Sequence, residues 1–524
     1  MSLQRRKLPV GIQNFDKIRT ENCYYVDKTA LLQKLIEEGS YYLLSRPRRF
    51  GKSLLIDTLK CLFEGREECF RGLAIHPQWD WQTRHPVVHL SFGGGVVQSR
   101  EELDRRIDEL LSVNAQRLGV DVTDQSVAGR FAGLLREAHA HTGQRVVVLV
   151  DEYDKPILDN LRHPERALEI RDGLRNVYSV IKDSDSDIRF VMLTGVSKFS
   201  KVSLFSGLNN LNDITLDRAY ATICGYTDAD LDAVFAPELP GLDREQIRRW
   251  YNGYRWGDAE VASVYNPFDV LLLFQKREFR SWWFESATPT FLVELLAERG
   301  VYTPQLGALE TEAELLGRFD VEDIATEALL FQTGYLTIHR VQQPILGYWL
   351  YTLGYPNLEV ESSLNQALLP ALGLPRSSGR QRLQLFKALE ATLTGDFVTL
   401  DKHFRALFAS LPHDWYRNNP IARYEGHYAS VFYSHLAALG LQLTVEEASN
   451  HGRVDLSLGF GGRRYLFEFK VIEQAPGGAA LAQLKERDYA AQYRNTGQPI
   501  ELIGVEFSSV ERSIVAFAHE TVQG

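Results

Sequence analysis

The stretch Tyr41-Tyr-Leu-Leu-Ser-Arg-Pro-Arg-Arg-Phe-Gly-Lys-Ser53 decides how this chain reads. Tyr41–Leu44 is a short apolar run, fit for a buried strand. The basic turn after it holds Pro47 and Gly51, both breakers of regular structure. Beyond the turn, Leu54, Leu55, Leu59, Leu62 and Phe63 recur at helical spacing. The unit is therefore strand, tight turn, helix. Similar apolar runs follow at Pro86–Phe92, Arg145–Val150 and Arg189–Thr194, and helical patterns at 101–118 and 126–140 separate them. These runs do not alternate apolar with polar residues, so both faces of each strand should be covered, as in a parallel sheet. The expected class is α/β.

Within the turn, Arg46–Ser53 approaches the phosphate-loop pattern GxxxxGK[ST]. Gly51, Lys52 and Ser53 match, and Arg46 stands where the first glycine would be. Gly51 lets backbone N–H groups approach a phosphate, Lys52 would reach the outer phosphates, and the Ser53 hydroxyl would ligate Mg²⁺. The helix N-terminus adds its dipole. Arg48 and Arg49 add positive charge beside it. Asp151-Glu152 directly follows Val146-Val-Val-Leu-Val150. An acid pair at the end of a buried strand is what a Walker B element needs. Asp151 would hold Mg²⁺ through water, and Glu152 would orient and polarise the attacking water. The strand ending at Thr194 offers a polar group to sense a γ-phosphate.

Several segments together resemble the prokaryotic AAA-ATPase-like family. They are Tyr25-Val-Asp-Lys-Thr29, Arg46–Ser53, Asp151-Glu-Tyr-Asp-Lys-Pro156 and Leu204-Phe-Ser-Gly-Leu-Asn-Asn-Leu-Asn-Asp213. The likeness covers roughly 7–225. It also touches Tyr251-Asn-Gly-Tyr254, Phe331-Gln-Thr-Gly-Tyr-Leu-Thr337 and Tyr355-Pro-Asn-Leu-Glu-Val360. The family tolerates the missing first glycine. The resemblance implies a P-loop NTPase parallel sheet that binds ATP. No residue stands out as an arginine finger.

Residues 452–470 carry a second chemistry. Gly452–Leu458 and Arg464–Lys470 read as strands joined across Gly461-Gly462, a strong two-residue hairpin signal. That turn places Asp455 opposite Glu468. Alternation then puts Glu468 and Lys470 on one face, with Phe467 and Phe469 on the other. Two facing carboxylates repel unless a cation lies between them. Hard oxygen ligands suit Mg²⁺ or Mn²⁺ with waters completing the shell. Lys470 would orient or deprotonate a nucleophilic water, and the set supports metal-assisted attack on a phosphodiester.

The set resembles the PD-(D/E)xK nuclease motif, with Asp455 as its Asp and Glu468-Phe-Lys470 as its (D/E)xK. Val454 replaces the usual Pro. By the same resemblance Glu425 is the additional acid on the first helix, and Gln483 and Tyr489, on the helix after the hairpin, face the active site or the DNA backbone. Glu446 reads as surface charge.

The expected organisation is a P-loop AAA-like ATPase domain at 1–225, a mainly helical lid or linker domain at 226–400, and a restriction-endonuclease-like α/β domain at 401–524. A turn-rich stretch at Gly373–Gly379 reads as a linker or loop. Lys and Arg number 58 against 68 Asp and Glu, a net charge of −10, so any nucleic acid needs a local basic groove. Four cysteines without CxxC spacing predict a reduced, cytoplasmic protein. The basic start lacks the apolar run of a signal peptide, and no stretch is long and apolar enough to span a membrane. The cofactors expected are ATP and Mg²⁺ or Mn²⁺. The partners expected are nucleic acid, DNA before RNA, and further copies of the chain, with no membrane. Two readings stand. One is an ATPase coupled to a metal-dependent nuclease, associated by resemblance with phage defence or mobile elements. The other is an ATP-controlled binding or signalling module with an inactive nuclease fold.

Overall fold

The apolar runs do form strands, and burial on both faces explains their composition. The computed structural model describes residues 5–198, 204–205, 208, 210–258, 260–287, 290–299, 301, 303–317, 324–370, 372, 379–410, 425–449, 452–472, 477–494, 496–508, 511 and 513–523. The expected linker at 373–379 falls almost wholly outside that set. The chain forms two compact units. One comprises 1–287 with 310–357, the other 288–309 with 358–524.

The first unit holds β1 (Tyr41–Ser45), α1 (Lys52–Phe63), β2 (Val87–Ser91), α2 (Arg100–Leu118), α3 (Val127–Thr142), β3 (Val146–Asp151), α4 (Pro164–Asp183), β4 (Ile188–Gly195) and β5 (Asn212–Asp213). The strands form one sheet in the order β2-β3-β4-β1-β5, and every pairing is parallel. Every residue of β3 is buried. Helix α2 starts at an Ser99 cap, whose side chain accepts from Glu102 N, and α3 starts likewise on Ser126. Strand β4 lies between β1 and β3. Thr194 is thereby opposite both Leu44 and Asp151. The C-terminal ends of three strands thus lie side by side, at the edge where ligands bind in open parallel sheets.

The middle of the chain is mainly helical and includes α5 (Pro267–Lys276) and α6 (Trp282–Ala287). It also contains a three-stranded sheet absent from the sequence reading: β6 (Leu309–Glu312), β7 (Thr337–Ile345) and β8 (Tyr348–Gly354), in the order β6-β8-β7. The β7–β8 pair is antiparallel and turns through Leu346-Gly347. Its alternation is broken by two register shifts, between Ile338 and Arg340 and between Gln342 and Ile345. Irregular pairing of this kind weakens the period-2 signal.

The second unit contains α7 (Leu358–Leu368), α8 (Gly379–Thr392), α9 (Phe397–Ala409), α10 (Glu425–Ala437), β9 (Leu443–Ser449), β10 (Gly452–Phe460), β11 (Arg463–Ile472), α11 (Ala479–Glu486), β12 (Ile500–Ser508) and β13 (Ser513–Val522). Its mixed sheet runs β13-β12-β11-β10-β9, with only β11–β12 parallel. Helix α11 makes the crossover between those two strands. On the opposite face, Phe432 of α10 packs against Phe404, Phe467, Phe469 and Phe507. Burying each such ring contributes roughly 1.5–3 kcal/mol. Behind it, Nε2 of His403 and Nε2 of His435 meet at 3.0 Å with the rings 12° apart.

Candidate functional site: a phosphate loop and an acidic hairpin

Lys52 is the first residue of α1 and is buried. Its ammonium donates to the carbonyls of Arg46 (2.8 Å) and Pro47 (2.9 Å), so it lies folded into the loop. Burial lowers its pKa, while Asp151, Asp154 and Glu152 oppose that shift. Gly51 has a φ of 92°, a backbone state that glycine adopts without strain. A cavity of about 430 Å³ opens over the loop. It is lined by Lys52, Ser53, Gly93, Glu152 and Lys155 and by apolar side chains, among them Ile12, Val26, Leu32, Phe268 and Leu271.

Of the acid pair, Glu152 lines this cavity. Asp151 Oδ1 accepts from Thr194 Oγ1 at 2.8 Å and from Glu152 N at 3.1 Å. Thr194 thus orients the acid. Glu152 sits at φ 54°, an uncommon state for a non-glycine residue. Burial first, then the neighbouring Asp151, raises its pKa. Asp154 went unnoticed as a site residue in the sequence. Its buried Oδ2 accepts from Val196 N (2.9 Å), Ser197 N (2.6 Å) and Ser197 Oγ (2.6 Å), tying the loop after β4 to the acid segment.

Arg46 explains the missing first glycine. It is fully buried and donates to the carbonyls of Ser45 (2.9 Å), Thr215 (2.9 Å) and Tyr220 (3.3 Å), with its guanidinium 4.2 Å over the Trp256 ring. The other loop residues are clasped in the same way. A Cβ on Gly334 would lie 2.6 Å from Pro47 Cγ, so only glycine fits there. Trp283 Nε1 donates to the Arg48 carbonyl at 3.0 Å, and Arg49 lies 4.8 Å over Phe268. Phe50 meets Tyr254 and Trp256 edge-on. Two of the middle motifs noted in the sequence, through Tyr254 and Gly334, therefore pack against the phosphate loop. Gln332 extends the clasp by accepting from Lys198 N at 2.7 Å, and Asn357 Nδ2 donates to Asn252 O at 2.9 Å.

The hairpin has the expected register. Leu456 faces Phe467 and Phe460 faces Arg463, and continuing the register sets Asp455 across from Glu468. Gly461 (φ 57°) and Gly462 (φ 74°) form the turn, with both residues left-handed. Asp455 Oδ2 accepts from Phe469 N at 2.8 Å, which fixes the carboxylate at the strand junction. Glu468 is 3% exposed, and its Oε1 accepts from Gln483 Nε2 of α11. Lys470 lies two residues on, half-buried. Gln483 is thus brought to Glu468. Tyr489 is fully buried in a cluster with Val454, Leu466 and Leu484 and serves as packing. Glu425 is the first residue of α10. Its side chain, like that of Glu446 in β9, lies outside the described set.

Two residues near Glu468 escaped the sequence reading. Gly504 pairs with Glu468 across β11–β12, and a Cβ there would lie 2.3 Å from Leu481 N. The absent side chain lets α11 descend onto the sheet. Glu506, beside Lys470, accepts from Gly477 N and Ala480 N at 3.2 Å each and caps α11. A lone glycine in an apolar strand marks such close approaches and is the one signal that could have been read.

Among the described residues no three His, Cys, Asp or Glu side chains converge on a common point. Asp455 with Glu468, and Ser53 with Asp151, are pairs of hard oxygen donors. They fit a Mg²⁺ that keeps several of its waters.

The family described as Predicted AAA-ATPase matches residues 9–205, and that of the PD-(D/E)XK nuclease superfamily matches 423–517. A protein of Azotobacter chroococcum mcd 1, described as "Uncharacterized protein in vnfD 5'region", is 61% identical over 523 residues, covering 99% of this chain and 100% of the relative. The chain belongs to one family with this relative and carries a predicted AAA-ATPase domain at 9–205 and a PD-(D/E)XK nuclease superfamily domain at 423–517. The AAA-ATPase-like match spans Lys52, Ser53, Asp151, Glu152 and Thr194 and stops before the clasping residues 215–357. The PD-(D/E)XK match spans Asp455, Glu468, Lys470 and Gln483. No described helix is long and apolar enough to cross a membrane.

Proposed function

We propose that this protein binds and hydrolyses ATP and uses that cycle to license a metal-dependent nuclease, with DNA the favoured target. One observation carries the reading: a single cavity is lined both by Lys52, Ser53 and Glu152 and by apolar side chains such as Val26, Phe268 and Leu271, groups suited to the phosphates and the base of a nucleoside triphosphate. Lys52 would leave its carbonyls for the outer phosphates. Glu152 would accept a proton from the attacking water, and its raised pKa suits a base that also returns the proton. Ser53 and Asp151 would hold Mg²⁺, which neutralises phosphate charge when bound.

In the second unit, Asp455 and Glu468 would hold a divalent cation that supplies Lewis acidity when bound. Gln483 keeps the Glu468 carboxylate in place. Lys470 would orient the water that attacks the phosphodiester. We further propose that 1–225, 226–400 and 401–524 act as ATPase, linker and nuclease parts, that the protein works in the cytoplasm, and that its biology is defence or mobile-element maintenance.

The test is cleavage of single- and double-stranded DNA and RNA with Mg²⁺ or Mn²⁺, with and without ATP. Wild-type chain, Lys52→Ala and Glu468→Ala are compared. Cleavage lost in Glu468→Ala and uncoupled from ATP in Lys52→Ala is expected. No cleavage of any substrate, with ATP turnover retained, would transfer the reading to an ATP-controlled binding module.

A further inference from the structure

Two adjacent arginines of the phosphate loop, Arg48 and Arg49, line the same cavity but are engaged differently. Arg49, at φ 68°, lies over the Phe268 ring at the first turn of α5 and is thereby engaged. Arg48 is held from behind. Trp283 Nε1 grips its carbonyl at 3.0 Å, and Gly334 presses on Pro47 before it. Its side chain is exposed and lines the same cavity as Gly93 and Glu152. Its charge offsets part of the upward shift of Glu152.

The remaining cations of the cavity are engaged. Lys28 pairs with Asp230 at 2.7 Å. Lys155 donates to Gly95 O at 2.7 Å and to Asp159 at 2.6 Å. Lys52 occupies the loop carbonyls. Among the described residues the Arg48 guanidinium has no hydrogen-bond or ion-pair partner.

We propose that Arg48 is a catalytic residue acting in cis, its guanidinium contacting the γ-phosphate of the nucleotide so that each chain carries its own charge-neutralising arginine. The proposal rests on the nucleotide-hydrolysing reading above. In the step, the water oxygen forms a bond to the γ-phosphorus, and the bond from that phosphorus to the β,γ-bridging oxygen breaks. The electron pair leaves on the ADP oxygen, and the water proton passes to Glu152. Negative charge spreads over the γ-phosphate oxygens as this happens, and a fixed cation there acts on the transition state more than on the bound ground state. The carbonyl anchor confines the movement needed to side-chain torsions.

The experiment compares wild type with Arg48→Ala and Arg48→Lys, using MgATP, MgADP and ADP–aluminium fluoride in calorimetry alongside phosphate release. For Arg48→Ala, MgATP and MgADP affinities within about 3-fold of wild type and turnover lower by about 100-fold or more are expected. The wild-type preference for ADP–aluminium fluoride over ADP should vanish, and added guanidinium ion should restore part of the turnover. Chains bearing Arg48→Ala mixed with chains bearing Lys52→Ala should recover nothing. Turnover and aluminium fluoride affinity close to wild type in Arg48→Ala would overturn the assignment. Recovery in the mixture would overturn the cis part, because a neighbouring chain would then be supplying the cation. A wild-type chain that binds neither nucleotide would remove the underlying reading and this one together. A wild-type chain that turns over ATP regardless of Arg48 would remove this one alone.

Discussion

The phosphate-loop cavity and the acidic hairpin are built over very different distances along the chain. Trp283 reaches back 235 residues to the Arg48 carbonyl, and Arg46 reaches forward to Tyr220 and Trp256. In the hairpin, Asp455 bonds a backbone N–H 14 residues away, and Gln483 reaches Glu468 across 15. The first site is therefore a property of a whole folded unit. The second is a property of one register and one crossover helix. Short local motifs announce both, but only in the hairpin do those motifs also supply most of the support.

The sharpest way to break the comparison is Arg46→Gly, which restores the glycine of the general phosphate-loop pattern. The local pattern improves, yet three carbonyl hydrogen bonds and the Trp256 contact disappear from a dry site. A loss of about 3 kcal/mol in unfolding free energy is expected, with MgATP affinity at least about 10-fold weaker. Denaturant melts and calorimetry measure both. Unchanged stability would mean that the clasp is incidental.

Gly504→Ala asks the same of the hairpin site. The new methyl group meets the backbone of α11 at Leu481, which cannot yield as a flexible side chain could. A cost of about 2 kcal/mol and weaker Mn²⁺ binding are expected, as Gln483 is lifted from Glu468. Normal Mn²⁺ affinity in a folded Gly504→Ala protein would show that α11 does not position the carboxylate.

Acid should act on the second unit through His403 and His435. Burial lowers His403 to about 4, and burial together with His403 and Arg382 lowers His435 to about 3. Both rings are thus neutral in the fold, and unfolding lets them gain protons. Their contribution to stability is complete above the ordinary histidine range. It is lost as pH falls from about 6.5 toward 4. A drop of a few degrees in the melting temperature between pH 7 and 5 is expected in wild type, and a shallower slope in the double His→Phe variant. Equal slopes would exclude the pair as the source.

The smallest effect belongs to Gly462→Asn. That position tolerates a Cβ, with no atom within 4 Å, and asparagine accepts the left-handed state the turn requires. A change within about 0.5 kcal/mol is expected in denaturant melts. A larger loss would mean that the register depends on the turn more than on the flanking strands.

Much of this architecture was legible because its signals are local. The four long strands of the first sheet declare themselves as runs covered on both faces. The hairpin register follows from a two-glycine turn and strict alternation. Sheet β6–β8 was not legible, because register shifts interrupt its period. Gly504 and Asp154 escaped because nothing beside them in the sequence says what approaches them. Gln483 was placed by resemblance, and only the packing of α11 gives the physical reason.

By itself the sequence determined where the four long strands of the first sheet lie, how Asp455 faces Glu468, and where a phosphate loop could form. These follow from short-range rules of turn geometry and side-chain alternation. Tertiary structure alone decided that Arg46 is a buried strut and not a ligand, that Arg49 lies over Phe268, and that Thr194 orients Asp151. Each depends on groups brought together by burial over tens to hundreds of residues, and no neighbouring residue encodes a contact made at that distance.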